Sequence, residues 1–197
     1  MSKKRKNITT QDRERWIADW NKHKDSNYKS YINTRDIASS GNKHRVAGSK
    51  SGGREHQLLS TNEYYQFLHL EFDPTVKNIF EQYLLPLGQT IAIAEQLGVK
   101  HPIYTRSKGQ IKAPLTTDFY VEHHFKQSKA ISVKDTRDAE KNRTKEKQMI
   151  ERASWELKNE PWEQVLDTSL KTNFSKNLEL LFPFRILKPA DFYKNLL

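Results

Sequence analysis

Apolar residues recur along this chain with two different spacings. A spacing of three to four residues predicts helices, and runs rich in β-branched and aromatic residues predict strands. The central elements follow the order helix, strand, helix, hairpin, long helix and strand, which predicts a mixed α/β core with helices on either side of a sheet. The predicted helices span residues 10–24, 60–72, 88–97, 137–158 and 173–182, and the predicted strands span residues 44–47, 76–85, 115–122, 129–134 and 162–167.

Local signals set several of these boundaries. Ser60 and Glu63 have the spacing of a capping box at the start of the second helix, and Asp73-Pro74 ends that helix. Gly98 takes the position that often closes a helix. The polar residues 122–128 predict the turn of a β-hairpin. The long helix is mostly charged, and its apolar side is predicted to consist of Met149, Ile150, Ala153, Trp155 and Leu157.

Residues 25–57 differ from the rest of the chain in composition. They are rich in Ser, Asn, Gly, Lys and Arg and poor in the residues that build a core. Two turn signals, at residues 39–45 and 49–54, flank the short predicted strand. We therefore expect this region to pack on a partner or on DNA rather than on the rest of the chain.

The charge of the chain is concentrated towards its beginning. Of 34 Lys and Arg residues, 14 lie in residues 1–60 beside only 6 of the 24 Asp and Glu residues, within a formal net charge of +10. Such an excess indicates a polyanion, most often nucleic acid, although a solvated basic tail explains it equally well. With no cysteine, the chain has no disulfide, thiol nucleophile or Cys-ligated zinc. No apolar run is long enough to span a membrane, and we expect a cytoplasmic protein.

One set of polar residues fits metal-dependent cleavage of a phosphodiester bond. That chemistry needs hard oxygen ligands for Mg²⁺ or Mn²⁺ and a nearby cation. Asp118 lies within the first strand of the hairpin, Lys134 ends the second, and Glu63 begins the preceding helix. The position two before Lys134, commonly an acid, is Ser132. Purely structural interpretations remain open, because Asp118 can pair with Lys134 or Lys129 across the hairpin and Glu63 can act only as a helix cap.

A series of short segments resembles one known family in the order of its motifs. The chain resembles the TnsA family, the endonuclease subunits of heteromeric bacterial transposases, over roughly residues 33–170. The matching segments are Ser39-Ser-Gly-Asn-Lys-His-Arg, His56-Gln-Leu-Leu-Ser-Thr-Asn-Glu, Glu81-Gln, Gly98-Val-Lys-His-Pro, Thr117-Asp-Phe, Ser132-Val-Lys, Glu151-Arg-Ala-Ser-Trp and Pro161-Trp.

The resemblance implies a fold and an active site. The fold is a restriction-endonuclease-like core at residues 33–170, with a basic N-terminal arm at 1–32 and a short C-terminal helix and tail at 171–197. Glu63, Asp118 and the backbone carbonyl of Val133 would bind Mg²⁺, with Mn²⁺ as an alternative. Lys134 would orient the attacking water and stabilise the transition state. Further site residues implied by position are Ser132, where the family has Gln or an acid, and Glu151, for which a solvated helix position is an equal alternative.

The resemblance also implies a role and partners. The chain would cut the non-transferred strand at the 5′ ends of a transposon, in the bacterial cytoplasm and near the nucleoid, beside a TnsB-type DDE transposase and a TnsC-type AAA+ regulator. The alternatives are a stand-alone nuclease of the same fold, a catalytically silent assembly subunit, and a plain nucleic-acid-binding domain. The candidates for contacts with DNA phosphates are Lys43, His44, Arg45, Lys50, Arg54 and His101.

Overall fold

The computed structural model describes residues 7–35, 42–105, 107 and 109–185. Their strands and helices follow the predicted order, with a second short strand and two short helices that the sequence pattern did not predict. The elements are α1 (Thr10–His23), β1 (His44–Ala47), β2 (Glu55–Leu58), α2 (Thr61–Phe72), β3 (Val76–Leu84), α3 (Leu87–Gln96), β4 (Thr116–His123), β5 (Lys129–Lys134), α4 (Thr136–Ala139), α5 (Asn142–Glu156), β6 (Trp162–Leu166), α6 (Asp167–Leu170) and α7 (Asn173–Leu181), followed by a 3₁₀ turn at Phe182–Phe184.

A four-stranded sheet of mixed orientation forms the centre of the fold. Its order is β3-β4-β5-β6, with antiparallel pairing between the first three strands and parallel pairing between β5 and β6. One face packs on α2, where Phe67 meets Phe119 and Ile131. The other face packs on α5, where Trp155 covers Ala130. The predicted mixed sheet flanked by helices is therefore confirmed.

The predicted capping box of α2 forms in part, because the Glu63 side chain accepts from the Leu59 N–H instead of the Ser60 N–H. The Ser60 hydroxyl accepts a hydrogen bond from the backbone N–H of Glu63 and starts α2, and Asp73 ends this helix. Gly98 has a φ of 65°, a left-handed conformation that glycine adopts without strain, directly after α3. These local hydrogen bonds explain why the boundaries of α2 and α3 are predictable.

The long predicted helix differs from the structure in two ways. It is divided, because Lys141 has an extended backbone and separates the one-turn helix α4 from α5. Residues 137–147 carry no large apolar side chain, so this break loses no buried contact. Its predicted apolar side was partly wrong: Ile150 and Trp155 are buried, whereas Met149 and Leu157 are 47% and 66% exposed.

The prediction for residues 25–57 was wrong in its described part. Strands β1 and β2 pair as an antiparallel hairpin that packs on the main domain through buried His56 and Leu58. Tyr28 is also buried, and its ring lies 5.0 Å from that of Phe80. The prediction failed because a few aromatic and imidazole side chains can bury as much surface as many small apolar side chains, so a region with few apolar residues can still pack on the domain. Residues 36–41 of this region lie outside the described residues.

Helix α1 also packs on the domain. The Trp20 ring is buried and stands edge-on to Tyr83, with 5.2 Å between ring centroids. Within the described ranges, no helix combines the length and apolar character needed to cross a membrane. The first six residues and residues 186–197 lie outside the described residues.

Candidate active site

Asp118 and Lys134 meet at the end of the β4–β5 hairpin that lies away from its turn. The Asp118 Oδ2 atom accepts hydrogen bonds from the Val133 N–H at 2.7 Å and from Lys134 Nζ at 2.6 Å. Lys134 Nζ also donates to the Val133 carbonyl oxygen at 2.9 Å. The ammonium group of Lys134 thus binds the Asp118 carboxylate and the Val133 carbonyl, two of the groups that were predicted to bind a metal ion.

Glu63 reaches the same place from the first turn of α2. The buried carboxylate accepts hydrogen bonds from the Leu59 N–H, the Ser60 hydroxyl and the Gln82 amide, at 2.9, 3.0 and 3.0 Å. Burial and, after it, the negative charge of Asp118 together raise the pKa of Glu63 to about 7, against the opposing effect of its hydrogen bonds and of the Lys134 charge. Glu63 is therefore both a helix-capping residue and a neighbour of Asp118.

Glu151 adds a third carboxyl group from α5. Burial raises its pKa to about 7, against the opposing effect of the Lys134 charge, and Asp118 contributes in the same direction as burial. Burial also lowers the pKa of Lys134, but the charges of Asp118, Glu151 and Glu63 outweigh burial and raise it above its usual value. The positive charge of Lys134 thus interacts with three buried or half-buried carboxyl groups.

Several polar atoms next to this group lack hydrogen-bond partners among the protein atoms. They are the hydroxyl of Ser132, the Oε1 atom of Glu151 and the amide nitrogen of Gln148, one helical turn before Glu151. Each unsatisfied buried polar group costs roughly 1–3 kcal/mol. Such a concentration of unpaired groups beside carboxylates is typical of a site that takes a small polar ligand or a cation.

The residues present fit a divalent cation. The carboxylates of Asp118 and Glu63 and the carbonyl of Val133 are the hard oxygen donors that Mg²⁺ and Mn²⁺ prefer. The Lys134 ammonium already supplies positive charge between two of these donors. Across the described ranges, no three Asp, Glu or His side chains converge as a complete metal cluster. A backbone carbonyl and water would therefore have to complete the coordination, as Mg²⁺ usually requires.

Half of the predicted DNA-contacting residues point into the protein. Arg54 donates to both carboxylate oxygens of Glu81, at 2.7 and 2.8 Å. Lys50 donates to the backbone carbonyls of Asp73 and Val76. His101 is 4% exposed and hydrogen-bonds the hydroxyl of Thr90, at 3.0 Å.

The other half lie on or near the β1–β2 hairpin. Arg45 is on its outer side, half exposed, with Nη1 3.8 Å from the carboxylate of Glu55. The His44 ring stacks on Tyr64 with 4.4 Å between centroids, and Lys43 donates to the Thr34 carbonyl oxygen at 2.7 Å. The six predicted residues are therefore distributed over several parts of the domain rather than gathered on one surface.

Two residues beside the site were not singled out by the sequence analysis. Gln82 donates to Glu63, and Lys147 of α5 has its pKa lowered by burial, by Arg143 and by the nearby charge of Lys134. A signal for Gln82 existed, because Glu81 and Gln82 are adjacent polar residues within the otherwise apolar run of residues 79–84. For Lys147 no signal distinguished it from the other charged residues of its helix.

An antiparallel hairpin that carries an acid and a lysine, completed by a glutamate from the preceding helix, defines the restriction-endonuclease-like fold. Residues 73–167 match the family described as the TnsA-like endonuclease N-terminal domain. The chain is also 35% identical over 158 residues to the transposon Tn7 transposition protein TnsA of Escherichia coli. Both comparisons confirm the resemblance of the chain to the TnsA family.

The two matches cover different lengths of the chain. The aligned part covers 79% of this chain and 56% of the Escherichia coli protein, so the chain spans little more than half the length of that relative. The family match includes Asp118, Lys134 and Glu151 and begins after Glu63. The electrostatic interaction of Glu63 with Asp118 and Lys134 is therefore a feature of the structure and not of that family match.

Proposed function

We propose that this chain is the endonuclease subunit of a cut-and-paste DNA transposition system. It cleaves the non-transferred strand at the 5′ ends of the element, while a TnsB-type DDE transposase acts on the 3′ ends. The observation that carries the proposal is the contact of Lys134 with Asp118 and the Val133 carbonyl inside a nuclease fold. The assignment to transposition is supported by similarity to a transposition protein.

The chemistry follows from the charges in the site. Asp118, Glu63 and the Val133 carbonyl hold Mg²⁺ or Mn²⁺, which when bound acts as a Lewis acid and lowers the pKa of water. Asp118 keeps Lys134 in place through a 2.6 Å hydrogen bond. Because the pKa of Lys134 is raised, its side chain is a cation at neutral pH. It orients the attacking water and stabilises the negative charge that develops on the phosphate.

The contact with the DNA backbone is proposed for the outer side of the β1–β2 hairpin. Arg35 and Arg45 line an open cleft of about 370 Å³ there, together with Asn33, Glu55 and Gln57. Strand β2 continues directly into Leu59 and Ser60, which both donate to Glu63, so the chain connects this cleft to the active site through a few residues. Arginine side chains in such a position bind phosphates without reading sequence.

The inward contacts of Lys50, Arg54 and His101 favour a different role for these three. Each pairs with a group of the protein itself. We propose that they stabilise the fold and do not touch DNA. Contacts with a TnsB-type transposase and a TnsC-type AAA+ regulator, and location near the bacterial nucleoid, remain proposals that rest on the similarity alone.

The decisive experiment is strand-specific cleavage of DNA that contains the transposon ends. The wild-type protein, Asp118→Ala and Lys134→Ala are each combined with the co-encoded TnsB-type transposase and either Mg²⁺ or Mn²⁺. We expect wild type to cut near the 5′ ends and both variants to lose this cut, while 3′ cleavage persists. Asp138→Ala and Lys141→Ala serve as matched controls, because these residues form an exposed ion pair on and next to α4.

The alternatives give different results in the same assay. A silent assembly subunit, which Ser132 in the place of the usual Gln or acid keeps open, would support transposition without any 5′ cut. A stand-alone nuclease would cut DNA equally well without the transposase. Equal activity of Asp118→Ala and wild type would contradict the assignment of the active site.

A further inference from the structure

Gln82 has an unusual backbone conformation for its position. It lies near the end of β3 with a φ of 49°, in the left-handed region that residues with a Cβ atom rarely adopt. The other described non-glycine residues with positive φ, Asn27 and Asn159, lie outside helices and strands and are of the residue type that tolerates this region best. A glutamine held there inside a strand costs roughly 1–3 kcal/mol.

The segment after α1 holds this strained backbone. The Tyr28 hydroxyl donates a hydrogen bond to the Glu81 carbonyl oxygen at 2.8 Å, and the Tyr31 N–H donates to the Gln82 carbonyl oxygen at 3.3 Å. Two consecutive carbonyls of β3 are thus bound by residues more than fifty positions earlier. Tyr28 is itself fixed, because its ring packs edge-on against Trp20 and Phe80.

The side chain of Gln82 points into the candidate active site. It is 2% exposed, and its Nε2 atom donates to Glu63 Oε2 at 3.0 Å. Its Oε1 atom accepts a hydrogen bond from the Thr116 hydroxyl at 3.2 Å. The Oε2 atom of Glu63 that accepts from the Leu59 N–H also accepts from this amide, so the NH₂ end of the amide faces Glu63. The amide is thus held at both ends and limits how the Glu63 carboxylate can turn.

We infer that Gln82 is a positioning residue for Glu63, held in its strained conformation by Tyr28 and Tyr31. The backbone strain directs the amide towards Glu63, and the amide fixes this carboxylate next to Asp118. The inference rests on the proposed function, since it assigns Gln82 a part in preparing the metal-binding carboxylate. It also links the segment after α1 to the active site, although that segment contributes no ligand of its own.

The test compares two substitutions of Gln82. Gln82→Met keeps the length of the side chain but removes the amide, and Gln82→Gly removes the amide together with the backbone strain. Mn²⁺ binding to the full chain is measured by calorimetry without DNA, and cleavage is measured with the transposase. We expect both variants to bind Mn²⁺ roughly 10- to 100-fold more weakly, as is typical when a group that orients a metal ligand is lost. We expect kcat to fall and KM for DNA to stay constant.

Asn78 offers a matched control on the same strand. Its amide donates to the Glu122 carboxylate at 2.7 Å between the same two strands, β3 and β4, away from the site. Asn78→Ala is expected to keep the Mn²⁺ affinity and kcat of wild type. Tyr28→Phe removes only the hydroxyl that holds the Glu81 carbonyl and is expected to weaken Mn²⁺ binding roughly threefold.

The outcomes separate this inference from the proposed function. If wild type binds Mn²⁺ and both Gln82 variants bind it equally well, the positioning role is wrong and the proposed function stands. If the wild-type protein neither binds Mn²⁺ nor cleaves DNA, the positioning role of Gln82 and the proposed function are both wrong. If Gln82→Met does not fold, the Mn²⁺ affinities of Gln82→Gly and Thr116→Val test the positioning role instead. Glycine suits the φ of this position, and valine replaces the hydroxyl that binds the Gln82 amide with a methyl group. Unchanged affinity in Tyr28→Phe would remove Tyr28 from the inference.

Discussion

The protein contains two clusters of charged residues, one around Glu81 and one around Glu63, and the carboxyl charges of the two clusters are neutralised to different degrees. The closed cluster consists of Glu81, Arg54 and His56. Its carboxylate is fully buried and accepts hydrogen bonds from both side chains, at 2.7–2.8 Å, and from the Gln57 N–H at 3.2 Å. Burial alone would raise the pKa of Glu81, but its hydrogen bonds and charge interactions with His56 and Arg54 lower it below its usual value.

The open cluster consists of Glu63, Asp118, Glu151 and Lys134. Here burial and the neighbouring negative charges raise the pKa of Glu63 and Glu151 to about 7, and Oε1 of Glu151 has no hydrogen-bond partner among the protein atoms. The two clusters are similarly buried, so burial does not explain the difference. The difference lies in compensation of the carboxyl groups. In the closed cluster both oxygens of Glu81 are paired with Arg54 and His56, although Nε2 of His56 has no partner, whereas in the open cluster Lys134 faces three carboxyl groups.

The largest expected effect separates the two clusters by stability. Glu81→Gln leaves Arg54 and His56 without their carboxylate partner, and breaking a buried ion pair costs about 3–5 kcal/mol. We expect the free energy of unfolding, measured by urea denaturation at pH 7, to fall by about this amount. Glu122→Gln is the control, because its partner Asn78 is neutral. A loss of similar size in the control, or none in Glu81→Gln, would mean that the closed cluster does not stabilise the fold.

A smaller effect is expected from acid. A carboxyl group whose pKa is lower in the folded than in the unfolded chain stabilises the fold above the unfolded pKa, and this contribution is lost as the pH falls through the folded value. The pKa of Glu81 lies below 4.5 in the folded chain. Wild type should therefore lose stability below about pH 4.5, and Glu81→Gln should lose less over the same range. Urea denaturation of both proteins at pH 7, 5 and 4 measures the difference, and parallel curves would contradict it.

The smallest effect on stability is expected in the open cluster. Glu151→Gln keeps the shape of the side chain and removes one of the like charges beside Asp118. We expect the free energy of unfolding without metal to stay constant or to rise by about 1 kcal/mol. Cleavage with the transposase should fall about tenfold or more, because the negative charge that balances Lys134 and a cation is reduced. If Glu151→Gln loses as much stability as Glu81→Gln, the buried carboxyl groups of both clusters stabilise the fold to the same extent, which contradicts the proposed difference between the clusters.

The parts of the molecule that were predictable rest on contacts within a few residues. The start of α2 depends on Ser60 and Glu63, three positions apart, and the hairpin depends on the polar turn between β4 and β5. Asp118 and Lys134 could be named because this hairpin places them at the same end. The pattern of apolar residues predicted the order of the elements and hence the class of fold.

The parts that were not predictable depend on residues far apart in the chain. Arg54 was expected on DNA, but its partner Glu81 is 27 positions away, on a strand whose pairing no local pattern reveals. Residues 25–57 contain few apolar side chains, and only the packed structure shows that Tyr28 and His56 are buried. The sequence shows Gln82 as a polar residue within the largely apolar second half of β3, but it shows neither the contact of Gln82 with Glu63 nor its left-handed backbone.

The sequence by itself thus determined the order of the elements, the mixed α/β class and the identity of the acid and lysine on the hairpin, because spacing and capping act over one or two turns of chain. The tertiary structure alone decided which charged residues face inward and which remain for a ligand. The reason is that compensation of a buried charge is a property of all the groups around it, and in this fold Glu63, Gln82, Asp118 and Glu151 are brought together from four different elements.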